Sequence, residues 1–232
     1  YLVAFCFFLS LSLGALIFVA LQHLTHAGWS VVVRRVAEAI ALNVVLLLVL
    51  ALPLLLGIKD LYPWSDPAVI DHSPLVAGKV GFLNPTFFTI RIVGYFVVWI
   101  VLAVAFHRSS VRQDSSGDVN LTHRMQKLAG PAVVLFALTT AFAAFDLLMS
   151  LEPEWFSTMF GVYYFAGCMV GFFALLPLVI TLIQSSGRMV VAVTAEHYHD
   201  MGKFAFAFVV FWAYIAFSQF MLYWYANLPE ET

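Results

Sequence analysis

The sequence predicts an all-α integral membrane protein, a single bundle of about six transmembrane helices over residues 1–232. Of these residues, 63% are hydrophobic and only 10% are charged, whereas soluble domains are about 45–50% apolar and about 25% charged. The mean hydropathy is +0.96. Six separate stretches also reach the length of about 20 apolar residues that a helix needs to cross a bilayer.

The predicted helices cover, in chain order, 2–21, 36–58, 86–106, 131–151, 158–183 and 204–226. Pro131 is expected at the start of the fourth helix, where its missing N–H is tolerated. Pro53 and Pro177 fall inside helices and predict kinks. The chain begins within an apolar run, at Tyr1, and we expect it to be a segment of a longer protein.

Basic residues are distributed unevenly among the connecting segments. The first, third and fifth segments hold eight Lys and Arg residues: Arg34, Arg35, Arg108, Arg112, Arg124, Lys127, Arg188 and Lys203. The other segments hold only Lys59 and Lys79. The positive-inside rule therefore predicts that the first residue lies on the outer side of a multi-pass protein. Within the third segment, 107–130 is expected to be a charged loop with a turn at 114–117.

Two opposite charges fall inside predicted helices at one depth. Arg91 and Asp146 each lie about five residues from the outer end of their helix, or roughly 8 Å below the boundary. Charges at this depth are costly and predict a buried pair. Either the pair fixes helix packing, or Asp146 titrates and Arg91 sets its proton affinity. Ser150 and Glu152 follow Asp146, with Ser150 four residues on and on the same helix face.

Glu38 is the third such charge. It lies near the end of the second helix that faces the basic connecting segments, called the basic end below. Arg34 is four residues earlier, so a local ion pair accounts for the glutamate; the alternative is the mouth of a proton path that also includes Asn43. Several polar residues lie at intermediate depth and are candidates to continue that path, although each is equally an ordinary packing residue: Tyr95, Thr139, Thr140, Tyr163, Tyr164, Ser218 and Gln219.

Histidine and cysteine provide no strong cofactor signal. Cys6 and Cys168 form no CxxC or CxxCH pattern, which argues against covalent haem, iron–sulfur and cysteine-held zinc sites in this chain. A compact cluster on the basic side, expected in a loop, is a weak metal signal and is interpreted as hydrogen bonding at a helix entrance: Glu196, His197, His199 and Asp200. No phosphate-binding glycine loop, serine nucleophile motif or nucleic-acid patch is present.

Motifs along nearly the whole chain resemble a known family: Tyr62-Pro63-Trp64, Leu83-Asn84, Phe87-Phe88, Arg91, Tyr95-Phe96, Trp99, Asp146, Met149-Ser150-Leu151-Glu152-Pro153, Trp155-Phe156-Ser157-Thr158, Phe160-Gly161, Glu196-His197, His199-Asp200, Gly202-Lys203, Phe211-Trp212-Ala213-Tyr214-Ile215, Phe217-Ser218-Gln219 and Trp224-Tyr225-Ala226-Asn227-Leu228-Pro229-Glu230-Glu231. These residues resemble the quinol:cytochrome c oxidoreductase quinone-binding subunit 2 family. This is the F subunit of bacterial alternative complex III, a relative of NrfD-like polysulfide reductase membrane subunits.

The resemblance implies a subunit of a respiratory complex in the bacterial inner membrane, within a larger NrfD-like helix bundle. Such a complex oxidises menaquinol or another quinol and passes electrons to cytochrome c or directly to a cytochrome c oxidase. It implies that haem c and iron–sulfur clusters are held by partners, namely multihaem cytochrome c subunits and an iron–sulfur subunit, beside a C-type NrfD-like subunit. Arg91, Asp146 and Glu152 match the family motif and are candidates for a proton-conducting scaffold.

Two other functions stay open at this point. A purely structural assembly subunit would use the same polar residues to hold neighbouring subunits and lipids. A free-standing secondary transporter would need inverted repeats and broken helices near the midplane, and the sequence contains no such pattern.

Overall fold

Six long helices form the protein in the computed structural model, which describes residues 1–226. They are α1 (Leu2–Leu24), α2 (Val31–Leu56), α3 (Pro85–Ser116), α4 (Val119–Leu147), α5 (Phe160–Ser185) and α6 (Ala195–Ala226). All six are long and apolar enough to cross a membrane, and the described residues contain no strand. The predicted all-α membrane bundle is therefore confirmed. The last motif residues, 227–231, lie outside the described part of the chain.

The predicted charged loop at 107–130 is wrong, because α3 and α4 both continue through it as a helical hairpin. Pro131 accordingly lies inside α4 and does not begin it. Hydropathy reports the length that fits the bilayer, whereas polar residues beyond it can extend the helix. The turn was predicted at 114–117, but residues 114–116 still belong to α3 and the chain reverses at 117–118. Gly117 ends α3 in the left-handed conformation (φ 64°), and the Asp118 side chain caps α4 by accepting from the Asn120 N–H.

The second helix starts earlier than predicted and is interrupted. It consists of three consecutive segments, Val31–Ala41, Val44–Leu50 and Leu52–Leu56. Four short turns then lead to α3: Ile58–Leu61, Pro63–Ser65, Pro67–His72 and Pro74–Ala77. Tyr62 and Trp64 lie within this connection, are each 1% exposed, and pack on Phe88 of α3. The connection thus covers the end of the bundle opposite the basic end.

Helix α1 lies at the centre of the bundle, where it contacts α2, α4 and α5. A Cβ on Gly14 would overlap the backbone carbonyl of Cys168 in α5, so only glycine permits this approach. Gly161 likewise brings α5 close to Ala141 of α4. Small residues at such contacts are typical of membrane helix packing. Helix α6 contacts mainly α5 and leaves most of its side chains exposed.

Candidate functional site

Arg91 and Asp146 form a bidentate ion pair between α3 and α4, as the sequence predicted. Arg91 Nε donates to Asp146 Oδ2 (2.9 Å), and Arg91 Nη2 donates to Oδ1 (2.6 Å). The Asp146 side chain is 0% exposed and that of Arg91 is 9% exposed. Two parallel bonds from a guanidinium to a carboxylate fix both distance and orientation. The contact therefore locks the register of α3 against α4.

Aromatic residues enclose the arginine. Its guanidinium carbon lies 3.8 Å from the centre of the Phe82 ring and 4.4 Å from that of Phe87. Arg91 Nη1 also donates to the Phe82 carbonyl oxygen (2.8 Å). Asn84 caps α3 by accepting from the Phe87 N–H (2.8 Å), which places that ring beside the arginine. Cations over aromatic faces are stabilised most where water is excluded.

The carboxylate of Asp146 has a third donor. The Tyr95 hydroxyl, one turn after Arg91 on α3, donates to Asp146 Oδ2 (2.8 Å). The Ser150 hydroxyl donates to the backbone carbonyl of Asp146, where α4 gives way to a short 3₁₀ turn. These four residues, Arg91, Tyr95, Asp146 and Ser150, are called the Asp146 network below. All of its members were sequence candidates.

Tyr62 supports the network from the α2–α3 connection, and sequence reasoning did not single it out as a site residue. Its hydroxyl donates to the Leu147 carbonyl oxygen (3.2 Å), next to Asp146 in the chain. Burial, with smaller contributions from Cys6 and then Asp146, raises the pKa of Tyr62 and keeps the hydroxyl protonated as a donor. In the sequence, only its place in the Tyr62-Pro63-Trp64 motif could have indicated that Tyr62 belongs to this site.

Glu152 does not join this network. It is exposed, and its side chain makes no ion pair with any described residue. The 3₁₀ turn at Met149–Leu151 ends α4 and carries Glu152 to the surface. Glu152, which matches the same family motif as Arg91 and Asp146, therefore lies apart from both in this fold.

Deeper in the bundle, Trp99 continues the line of polar contacts between α3 and α4. Its Nε1 donates to Thr139 Oγ1 (2.9 Å), which in turn donates to the Leu135 carbonyl oxygen (2.7 Å). Thr140 is 1% exposed, and its hydroxyl has no partner among the described residues. From Arg91 to Trp99 the α3 axis rises about 12 Å, so the polar contacts reach towards the middle of the membrane.

An apolar layer lies beyond Trp99. Leu102, Phe106 and Phe136 are each at most 4% exposed and fill the space between the helices. Neither Arg91 nor Asp146 lines any of five cavities found along the bundle. The Asp146 side chain is thus enclosed, and none of these five cavities joins its network to Glu38.

Glu38 lies at the basic end in a separate polar cavity of about 510 Å³, called the Glu38 cavity. It is 2% exposed and pairs with Arg35 Nη1 (3.3 Å). The prediction that Arg34 pairs with Glu38 is wrong. Arg35, which is three residues before Glu38, forms the ion pair instead. His107 Nδ1 lies 3.8 Å from Glu38 Oε2, and Asp114 pairs with the other side of Arg35.

The helical extension of α3 explains why sequence reasoning missed His107 and Asp114. Both were placed in a loop, yet both lie on α3 beside Glu38. His23, at the end of α1, also lines the cavity; it is 2% exposed and its ring stacks on Phe106. Its position near the basic end of α1 was the only signal in the sequence.

Asn43 lies in a different place from Glu38. It is exposed and lines an apolar groove of about 570 Å³ between α1 and α2, with Ser12. The sequence indicated that Asn43 lies on a face next to that of Glu38, and the interruption of α2 at 42–43 and the five-residue spacing indeed place the two side chains on different surfaces.

Tyr163 and Tyr164 lie on α5, where the Tyr164 hydroxyl donates to the Cys6 carbonyl oxygen (3.0 Å) and the Tyr163 ring stacks on Trp212. Ser218 and Gln219 lie on α6. Gln219 Oε1 accepts from the Ser157 hydroxyl (2.8 Å), beside a cavity of about 260 Å³ with aromatic walls. The cluster Glu196, His197, His199 and Asp200 belongs to the first turns of α6 and not to a loop.

Hydrogen bonding at this helix start is confirmed for His197, whose Nδ1 lies 3.2 Å from the Thr194 N–H. Asp200 pairs with Lys203 (3.1 Å). Within residues 1–226, no three His, Cys, Asp or Glu side chains converge as metal ligands would. Cys6 and Cys168 are buried free thiols.

The fold and these two polar sites define a multi-pass helical membrane protein with ionisable groups at both ends of its interior. No protein-family model matches the chain, and no curated protein matches it.

Proposed function

We propose that this chain is a membrane subunit of a bacterial quinol:electron-acceptor oxidoreductase complex of the alternative complex III class. The observation that supports this most is the Asp146 network. Its four members come from motifs that resemble that family, and they form one enclosed contact between α3 and α4. Residues that are distant in sequence, rare at membrane depth and mutually satisfied are typical of a functional design.

Within this proposal the Asp146 network acts as a scaffold that holds the outer half of α3 and α4 rigid beside the quinol chemistry. Every donor around the carboxylate is already engaged, and the Asp146 side chain is 0% exposed. A group that exchanges protons during turnover needs a route for them, and Leu102, Phe106 and Phe136 block the direct route to the other side. These contacts favour a scaffold over a continuous proton path through this chain.

A second role, proton exchange with the basic side, is supported by the Glu38 cavity. A carboxylate that is 2% exposed lies 3.8 Å from an imidazole and lines a cavity large enough to hold several water molecules. Buried carboxylates beside histidines and water are suited to taking up and releasing protons. This role concerns only the basic end and does not require protons to cross the whole chain.

The proposal places the protein in the bacterial inner membrane with the basic end in the cytoplasm and Tyr1 on the periplasmic side, as the positive-inside rule indicates. Haem c and iron–sulfur clusters would belong to partner subunits, beside a C-type NrfD-like subunit. Cytochrome c, or an oxidase directly, would accept the electrons.

The test is affinity purification of the tagged protein from membranes solubilised in mild detergent. We expect haem absorbance, iron–sulfur signals and quinol-dependent reduction of cytochrome c to co-purify with the tag. A tagged protein that purifies alone, or with partners that carry no redox centre, would refute membership of such a complex.

A further inference from the structure

A strongly basic cavity lies on the α3–α4 hairpin, apart from both polar sites described above. It has a volume of about 540 Å³. Arg108 and Arg112 of α3 and Arg124 and Lys127 of α4 line it, and no Asp or Glu does. All four side chains are exposed, and none forms an ion pair with a described residue. Four positive charges therefore border one volume without a protein counter-charge.

The four cations come as two pairs on facing helices. Arg108 and Arg112 are one turn apart, about 6 Å along α3, and Arg124 and Lys127 occupy one turn of α4. Guanidinium groups bind phosphate oxygens through paired N–H donors, and an ammonium adds a point charge. Two pairs of cations across a cavity of this size match two phosphate groups.

Apolar surface continues from the cations into the membrane. The floor of the cavity is formed by Ala105, Leu128 and Pro131. Seven residues are about two helical turns, so Val101 lies below Arg108 on the same face of α3, and Val134 lies below Lys127 on α4. Val101 is 60% exposed and Val134 is 59% exposed. The surface therefore combines a phosphate-binding region with a long apolar strip directly beneath it.

We propose that this cavity binds an anionic phospholipid. The phosphates lie between the cations of α3 and α4, and an acyl chain lies along the exposed apolar residues of the same two helices. A lipid with two phosphates, of the diphosphatidylglycerol type, uses both pairs of cations. An acidic protein segment would satisfy the charges but not the apolar strip, so the lipid fits the whole surface. This inference holds whether or not the protein belongs to a quinol-oxidising complex.

The test measures lipid binding to the intact protein, purified in detergent and depleted of lipid. Fluorescent diphosphatidylglycerol is titrated against wild type, the double variant Arg108→Gln/Arg124→Gln and a control that loses two charges elsewhere at the same end, Arg188→Gln/Lys203→Gln. Each cation near an anionic lipid contributes about a fivefold factor in affinity, so the double variant is expected to bind about 30-fold more weakly. The control is expected to stay within about threefold of wild type.

Glutamine has nearly the helix propensity of arginine, and both positions are exposed, so the double variant is expected to melt at the wild-type temperature. Equal affinity of the two double variants would overturn the proposal, as would equally tight binding of phosphatidylcholine.

Displacement of the lipid by millimolar inorganic phosphate would instead indicate a site for free phosphate. Loss of a partner subunit from the variant, with its bound lipid unchanged, would indicate a protein interface. Either result would also reject the lipid site.

Discussion

The Arg91–Asp146 pair offers the most decisive experiment on this protein, a double-mutant cycle. The three variants are Arg91→Gln, Asp146→Asn and the two combined. Each single substitution leaves one charge without its partner in a site that is 9% exposed at Arg91 and 0% at Asp146. Breaking a buried ion pair from one side costs about 3–5 kcal/mol, whereas neutral replacement of both partners costs much less.

The structure supports this asymmetry. The carboxylate of Asp146 accepts two bonds from Arg91 and one from Tyr95, so Arg91→Gln leaves the negative charge with a single neutral donor. In the combined variant two amides face each other and can still hydrogen-bond. We therefore expect each single variant to melt on the order of 10 °C below wild type, and the combined variant to recover about half of that loss.

Two assays read the cycle. Fluorescence-detected size-exclusion chromatography after heating gives the melting temperature of the solubilised protein, and quinol oxidation is measured per assembled complex. If the Asp146 network acts only as a scaffold, complexes assembled with the combined variant oxidise quinol at the wild-type rate. A combined variant that assembles but no longer turns over would refute the scaffold and make Asp146 a titrating group. If the loss of stability in the combined variant equals the sum of the losses in the two single variants, the two side chains are not energetically coupled.

Three further outcomes follow from the packing and the Glu38 cavity. Gly14→Ala is expected to lower the melting temperature on the order of 5 °C, because its new methyl group overlaps the backbone of α5, whereas Gly94→Ala, which has open space around its Cβ, stays within about 2 °C of wild type; equal effects would contradict the close approach of α1 and α5. Glu38→Gln is expected to slow proton uptake or release at the basic end several-fold and flatten its pH dependence while the complex still assembles, and an unchanged rate and pH profile of that proton exchange would remove Glu38 from it. Trp99→Phe is expected to cost about 1 kcal/mol, or roughly 2–4 °C, through the lost bond to Thr139, with turnover unchanged; a loss of turnover at wild-type stability would instead indicate that this contact takes part in the chemistry.

The sequence alone was sufficient for the architecture. A bilayer imposes one length and one composition on every crossing helix, so six apolar runs predict six helices without knowledge of their packing. The Arg91–Asp146 pair was also predictable, because two isolated opposite charges at one depth have few alternatives to each other. The same argument does not extend to residues outside the membrane, where charge carries no comparable penalty.

The wrong predictions from the sequence mostly concern residues where helices extend beyond the apolar layer of the membrane. Hydropathy ends at the membrane boundary, so it did not reveal that α3 and α4 continue as a hairpin and bring His107 and Asp114 to Glu38. The choice of Arg35 over Arg34 as the partner of Glu38 depends on which helix face meets α3. That face is fixed by contacts between helices and not by spacing along one helix.

The sequence by itself determined that this is a membrane protein, how many of its helices are able to cross the membrane, and that Asp146 is the ion-pair partner of Arg91. Those conclusions follow from the free energy of placing each residue in hydrocarbon, a property of composition and order along the chain. Only the tertiary structure decided that the Asp146 side chain is fully enclosed, that Glu152 stays outside its network, and that a separate cavity forms around Glu38. Enclosure and cavities depend on how side chains from several helices fill shared space, and that arrangement exists only once the helices have packed.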